Sequence, residues 1–163
     1  MHSSRRLLLL AGAALVTGCG FQLRQPPSFV FDTIFVGASP ASAVGNELKR
    51  TLGAASPVKL APAADNAQVV LDLLDERREK VVVGLNASGQ VREFQIRTRI
   101  RFRLRTPSGK ELIPATELLQ QRDISFTESA ALAKEVEENL LYRDMQTDLV
   151  QQLMRRLAAV KAL

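Results

Sequence analysis

Residues 94–105 of the chain read FQIRTRIRFRLR, and apolar side chains alternate with arginines along this stretch. The apolar set is Phe94, Ile96, Ile100, Phe102 and Leu104, and the arginine set is Arg97, Arg99, Arg101, Arg103 and Arg105. Successive side chains of a β-strand point to opposite faces of the sheet. The alternation therefore predicts a strand with one apolar face that packs against a core and one basic face.

The five arginines, called the arginine ladder below, would repel one another unless something screens them. Same-face neighbours on a strand lie roughly 7 Å apart, so each adjacent pair repels by about 2 kcal/mol at an effective dielectric of about 20. Acidic side chains on neighbouring strands, such as Asp72, Glu76 and Glu117, could pair with the ladder. The ladder could also contact phosphates or the acidic groups of a partner. We expect ion pairing combined with a partner contact rather than direct binding of a lipid.

Two further strands are predicted, one on either side of this strand. Turn-forming residues lie before it at 86–89 and after it at 107–109. Residues 68–85 are apolar at their ends and charged in their middle, which predicts one long strand with a possible bulge. Residues 111–126 should form the next strand, and Pro114 near its start indicates an edge position or a bulge. The three strands should form an antiparallel meander.

The N-terminal part of the fold is predicted to be a strand followed by a helix. Residues 29–36 are rich in apolar and β-branched side chains, as is typical of a strand. Ser39 and Pro40 are typical of a helix N-terminus, and Gly53 should end the helix after Leu52. A strand, a helix and a strand in succession form a right-handed crossover, so the first two strands should be parallel.

The last predicted element is a helix of about 30 residues that begins after Thr127 or Ser129. An apolar stripe follows it, made of Leu132, Val136, Leu140, Leu141, Met145, Leu149, Leu153, Leu157 and Val160. We expect this stripe to pack against the core rather than against a partner. Together the elements predict an α+β fold, a four-stranded mixed β-sheet with two α-helices packed on one face.

The N-terminus has the features of a lipoprotein signal peptide. Arg5 and Arg6 precede an apolar run at 7–16, which at about 1.5 Å per residue is roughly 15 Å long and too short to span a bilayer. Residues 16–19, Val-Thr-Gly-Cys, resemble the lipobox that lipoprotein signal peptidase cleaves, with Cys19 as the lipidated residue. The chain is thus predicted to have three parts: a signal peptide at 1–18, a lipidated N-terminus and tether at 19–28, and a single α/β sandwich domain at 29–163.

The composition of the mature chain argues against several kinds of enzyme. Subtracting 18 signal residues from 163 leaves 145, enough for one domain with a core. His2, the only histidine, is removed with the signal, and Cys19 is the only cysteine. No imidazole then remains for a nucleophilic relay, and no internal disulfide can form. Chemistry by a pair of carboxylates stays open as the alternative, but we predict no catalytic residue, no metal and no cofactor.

Three short segments carry a family resemblance. They are Cys19-Gly20-Phe21-Gln22-Leu23-Arg24 after the cleavage site, Gly89-Gln90 through Glu93-Phe94 at the start of the ladder strand, and Ala131-Leu132-Ala133-Lys134 followed by an acidic stretch and residues 145–157. In this order and spacing they resemble the LptE family of LPS-assembly lipoproteins, the small partners of the outer-membrane barrel that inserts lipopolysaccharide. The resemblance covers essentially the whole mature chain.

The resemblance implies a function without catalysis. A protein of this family would be lipid-anchored on the periplasmic side of the outer membrane, plug its barrel partner, support the assembly of that partner and contact lipopolysaccharide. No nucleic acid would be a partner. The alternative from a different class is a lipoprotein scaffold or activator of a cell-wall synthase or transport complex.

Two candidate ligand residues come from the resemblance. Lys134 matches the family's Ala-Leu-Ala-Lys position and is a candidate contact for lipopolysaccharide. Some members also carry an arginine in the hairpin before the ladder strand, where this chain has Asn86, Ala87 and Ser88. Arg92 is close by in the sequence and is the candidate for the second contact.

Overall fold

The computed structural model describes residues 28–55 and 57–163. The strands are β1 at Thr33–Gly37, β2 at Lys59–Leu60, β3 at Val69–Leu85, β4 at Val91–Arg105 and β5 at Glu111–Ser125. The helices are α1 at Ala43–Ala55 and α2 at Ala131–Ala158, and short 3-10 turns lie at Ala64–Asn66 and Glu128–Ala130. The ladder stretch lies entirely within β4, as the alternation predicts.

The strands form one mixed sheet in the order β2-β1-β3-β4-β5. β1 is parallel to β3, and β3, β4 and β5 form the antiparallel meander, which confirms both predicted pairings. The α+β class and the two helices are also confirmed, but the sheet has five strands rather than four. The additional strand is β2, only two exposed residues long, which pairs in parallel with β1. A strand this short leaves no alternation in the sequence, so the sequence alone indicates no strand there.

The predicted ends of β1 and α1 are wrong by several residues. β1 begins at Thr33, and Phe29 and Phe31 precede it with their rings 5.3 Å apart. α1 begins at Ala43 because Ser42 Oγ accepts a hydrogen bond from a backbone amide of the first turn at 2.8 Å, as an N-cap does. Gly53 lies inside α1, which continues to Ala55.

The core lies between the helices and one face of the sheet. Its main cluster joins Ile100, Phe102 and Leu104 of β4 with Val44, Leu48 and Leu52 of α1 and with Leu149, Leu153 and Leu157 of α2. A smaller cluster joins Ile96, Ile124, Tyr142 and Met145. The apolar set of β4 therefore faces the helices, and the arginine ladder faces away from them.

The apolar stripe of α2 is in the core only from Leu141 onward. Leu149, Leu153 and Leu157 are fully buried. By contrast, Leu132, Val136 and Leu140 are 82%, 69% and 52% exposed, which corrects the predicted core packing of the N-terminal half. The exposed residues do not lie on a different side of the helix: Val150 follows Leu132 by eighteen residues, which is five full turns, and is fully buried on the same side. Val150 belongs to the cluster that contains α1, and the described hydrogen bonds between α1 and α2 begin at Gln146. The N-terminal turns of α2 therefore extend past the part of the helix that α1 covers.

Candidate functional site

Two arginines of the ladder share one carboxylate. Arg103 Nε and Arg105 Nε both donate to Asp72 Oδ2, at 2.8 and 2.9 Å. Burial of Asp72 alone would raise its pKa, but the hydrogen bonds from Arg105 and Arg103 and their positive charges outweigh burial and hold the pKa below its usual value of 3.8. This group of three screens one end of the ladder, although two arginines on one carboxylate leave one positive charge uncompensated.

The other three arginines of the ladder are paired less completely. Arg99 Nη2 lies 2.6 Å from Glu79 Oε1, and Arg99 Nη1 lies 3.8 Å from Glu117 Oε2. Among the described residues, Arg97 donates only to the side-chain amide oxygen of Gln95, a neutral group two residues before it. Arg101 is exposed and forms no ion pair with any residue that the structure describes. The ladder is thus screened around Asp72 and Arg99 and remains open around Arg101.

Glu76 does not pair with the ladder, which corrects that expectation. A β-bulge shifts the register of β3 against β4 between Leu73 and Asp75. Beyond the bulge the alternation of β3 is displaced by one residue, so Glu76 lies opposite Ile100 on the helix face. There its carboxylate accepts hydrogen bonds from Ser42 Oγ and from a backbone amide in the first turn of α1. Glu76 therefore stabilises the N-terminus of α1, where the helix dipole favours a negative charge.

The pairing of the ladder with Asp72 and Glu117 is confirmed, while its pairing with Glu79 was missed. The charged middle of β3, Asp75 to Lys80, contains acids and bases at both parities of the alternation. Which of them face the ladder depends on the exact residue at which the bulge occurs. The sequence indicates a possible bulge but carries no signal for its position.

Replacing Asp72 with asparagine should lower the free energy of unfolding by about 1–2 kcal/mol at neutral pH, because two charged hydrogen bonds are weakened. The folded-state pKa of Asp72 is lowered, so its contribution is complete above the usual value of 3.8 and is lost as the pH falls through the folded-state value. The difference between the variant and the wild-type protein should therefore shrink below pH 3.8. Urea denaturation over a series of pH values measures it.

Asp75→Asn is the matched control for this experiment. Asp75 pairs with Arg77 at 2.8 Å, and that arginine is largely exposed. Exposed pairs of this kind contribute roughly 0.2–1 kcal/mol, so this variant should lose less stability and show a weaker dependence on pH. Equal losses in the two variants would contradict the role given to Asp72.

Lys134 lies in a cleft of about 360 Å³ between the first turns of α2 and the ends of the strands. Its Nζ donates to Ser125 Oγ at 3.0 Å and to Glu137 Oε2 at 2.8 Å. The rings of Phe94 and Phe126 also line the cleft, edge to face with their centroids 5.3 Å apart. The cleft therefore combines a cation with an aromatic surface, as a site for a charged amphiphile requires.

Arg92 lies in a different cleft. That cleft measures about 260 Å³, and Arg92 lines it together with Thr127, Glu128 and Ser129 before the start of α2. The backbone oxygen of Arg92 accepts a hydrogen bond from Phe126 N at 2.8 Å. The two candidate ligand residues are thus near the same end of the sheet, but the structure does not bring them into one cavity.

A second cation shares the Lys134 cleft, and the sequence did not reveal it. Lys80 of β3 lines the cleft, with its Nζ 2.6 Å from Glu138 Oε2 and 4.3 Å from the centroid of the Phe94 ring. Like Glu76, it lies on the helix face because of the bulge. Its position could not be inferred from a charged run of uncertain register.

Three further observations concern the predicted lipid anchor, metal ligands and membrane-spanning helices. Cys19 lies outside the residues that the structure describes. Within residues 28–55 and 57–163, no group of three or more His, Cys, Asp or Glu side chains could hold a metal ion. Over the same part of the chain, no helix combines the length and the apolar character needed to cross a membrane.

The fold is similar to those of solved lipoproteins. The solution structure of the uncharacterized lipoprotein B from Nitrosomonas europaea has a TM-score of 0.76 and 33% identity, covering 86% of this chain and 91% of that one. The crystal structure of the rare lipoprotein B from Shewanella oneidensis has a TM-score of 0.68 and 21% identity, covering 78% and 94%. At this lower identity the likeness concerns the fold alone.

Curated relatives and a family model identify the family. The LPS-assembly lipoproteins LptE of Pectobacterium atrosepticum and Photorhabdus laumondii are 26% and 27% identical to this chain, each over 94% of its length and over 84% and 85% of their own. The family model for lipopolysaccharide-assembly LptE matches residues 31–157, most of the chain. The solved structures and the family model agree, and the chain belongs to the LptE family of LPS-assembly lipoproteins.

Proposed function

We propose that this protein is an outer-membrane lipoprotein that plugs the lipopolysaccharide-insertion barrel, supports the assembly of that barrel and contacts lipopolysaccharide during its export. Membership of the LptE family supports the role in lipopolysaccharide assembly. The lipid anchor would be attached to Cys19, and the folded domain would lie on the periplasmic side. No step of this function requires catalysis by the chain.

The ladder face of the sheet is the observation that carries the plug role. Both helices pack on the opposite face, so the described elements leave the ladder face open. Arg101 is exposed and unpaired there among the described residues, and the apolar side chains of Leu119 and Val81 are exposed on the same face. Arginine together with exposed apolar side chains is the composition that protein interfaces favour. A barrel wall with acidic groups would complement such a face.

The cleft of Lys134 supports the contact with lipopolysaccharide. Lipopolysaccharide carries phosphates and apolar chains on one molecule, and the cleft offers a cation beside two aromatic rings. Lys134 is held by Ser125 and Glu137 through exposed hydrogen bonds that a phosphate could replace. Arg92 would extend the basic surface beyond the cleft.

The test is co-expression of an unlipidated form, lacking residues 1–19, with the barrel, followed by affinity capture. The folded surface should provide the interface, so the complex should form without the lipid. Replacing Arg99 and Arg101 with glutamine should weaken capture by roughly 5- to 30-fold at low ionic strength, and by less at high salt. Arg50→Gln with Arg143→Gln removes the same charge from exposed arginines of the helices and is the control.

Circular dichroism and thermal denaturation verify that both double variants are folded. If the unlipidated domain forms no complex with the barrel, the plug role is wrong. If the ladder and control variants bind equally at both ionic strengths, the ladder is an ordinary solvated face. Capture of a cell-wall synthase instead of the barrel would favour the scaffold alternative.

A further inference from the structure

We propose that Lys80 is the second cation of the Lys134 cleft and that the two lysines together bind the phosphate groups of a phosphorylated glycolipid. The inference rests on the proposed contact with lipopolysaccharide and deepens it. It assigns the second contact to a residue of β3 rather than to Arg92 or to the hairpin before β4.

Lys80 and Lys134 reach one cleft from two different elements. Lys134 belongs to the first turn of α2 and is tied to β5 through Ser125. Lys80 belongs to β3 and is tied to α2 through Glu138, with 2.6 Å between Nζ and Oε2. Both side chains line the same space of about 360 Å³. An anionic group in the cleft would therefore meet a lysine from the sheet and a lysine from the helix.

The floor of the cleft suits the apolar part of such a ligand. Phe94 and Phe126 meet edge to face, and Ile124 beside them is buried. Lys80 Nζ lies 4.3 Å from the centroid of the Phe94 ring, a cation–π contact that holds the ammonium group over the aromatic surface. The cleft thus places positive charge directly beside an apolar surface, which matches a sugar phosphate that carries acyl chains.

The β-bulge is the reason that Lys80 lies in the cleft. After the register shift between Leu73 and Asp75, Lys80 pairs with Ile96, whose side chain is in the core on the helix face. Without the shift, Lys80 would lie on the ladder face, away from Lys134. The same bulge that removes Glu76 from the ladder therefore brings a second lysine into the cleft.

Three acidic residues of α2 surround the two lysines. Glu137 pairs with Lys134, Glu138 pairs with Lys80, and Glu135 also lines the cleft. A ligand must replace the two paired carboxylates, and partly exposed ion pairs are weak enough to be exchanged. A phosphate monoester carries more negative charge than a carboxylate and offers three acceptor oxygens, so it can compete with a glutamate for a lysine.

This arrangement predicts opposite effects for the two partners of one ion pair. Lys80→Gln removes a ligand contact and should weaken binding, whereas Glu138→Gln frees Lys80 from its competitor and should strengthen binding. Both variants break the same contact between β3 and α2. A purely structural role of the pair would change binding in the same direction in both.

The experiment measures binding of fluorescently labelled bisphosphorylated lipid A, in detergent micelles, to the full mature protein. Lys80→Gln and Lys134→Gln should each weaken binding by roughly 5- to 10-fold, and Glu138→Gln should strengthen it by about 2- to 5-fold. Lys59→Gln removes an equal charge at the exposed edge strand β2 and should bind within about twofold of the wild-type protein. Arg92→Gln, in the other cleft, should weaken binding by less than Lys80→Gln does. Thermal denaturation identifies any variant that fails to fold.

Competition identifies the source of the phosphate. Dephosphorylated lipid A and inorganic phosphate should each compete weakly, because the site contacts both the phosphates and the apolar part of the ligand. Equal competition by inorganic phosphate would overturn the assignment to a glycolipid. Unchanged binding of Lys80→Gln together with weaker binding of Lys134→Gln would overturn this inference and leave the proposed function intact. No binding of lipid A by the wild-type protein would overturn both.

Discussion

Replacing Leu149 with alanine is expected to lower the free energy of unfolding by about 2–5 kcal/mol, the range for deleting a buried leucine side chain. Leu149 is fully buried in the main core, among residues of α1, β4 and α2. The cost combines the lost burial of apolar surface with the cavity that the neighbouring side chains cannot fill. Urea denaturation followed by circular dichroism measures this loss.

Leu132→Ala is the matched control because it is the same substitution in the same helix. Leu132 belongs to the same apolar stripe in the sequence but is 82% exposed. Its replacement should change the free energy of unfolding by less than about 0.5 kcal/mol. Helix propensity changes equally in the two variants and cancels in the comparison. Equal losses would mean that Leu132 is packed against the protein, contrary to the structure.

Replacing Cys19 with alanine should abolish lipid attachment completely. In the predicted lipidation, the Cys19 sulfur is the atom that would carry the diacylglyceryl group, and the chain has no other cysteine to replace it. Signal cleavage in lipoproteins depends on the modified cysteine, so the variant should accumulate as a precursor or be mislocalised. Metabolic labelling with palmitate, followed by separation of membrane fractions, measures both effects.

Gln25→Ala, a change within the predicted tether, is the control for this experiment and should be labelled like the wild-type protein. Labelling of Cys19→Ala at the wild-type level would contradict the assignment of the lipid anchor. The folded domain of Cys19→Ala should be unaffected, because the described core begins at Phe31. Cys19→Ala therefore also separates the role of the anchor from that of the ladder face.

Most of the sheet could be predicted because its signals are local. The alternation in β4 requires no knowledge of any other strand, and the turns at Gly89 and Gly109 both adopt positive φ, as glycine in a tight turn can. β2 was missed because two residues cannot display a period. The start of α1 was misplaced because Ser39 and Ser42 are both capable of capping, and the sequence does not indicate which one does.

The candidate site was predictable only in part. Lys134 came from a family resemblance, and the structure places it in a cleft, but that placement does not test its role. Lys80 was missed because the face of the sheet on which it lies depends on one bulge about six residues earlier in β3. Arg92 was chosen for its nearness in the sequence, which does not determine which cavity a side chain enters.

The sequence by itself determined the family from short segments in a given order. It determined the antiparallel meander from the turn residues between the strands, and the two faces of β4 from a strict period of two. Only the tertiary structure decided the partners of the arginine ladder, the second lysine of the cleft and the exposed start of α2. A single extra residue in β3 reverses the faces of the residues after it, up to the next register shift beyond Val82. A helical period marks one side of α2 along its whole length, so only the packing of α2 against the sheet and α1 separates the buried Val150 from Leu132, five turns earlier on the same side.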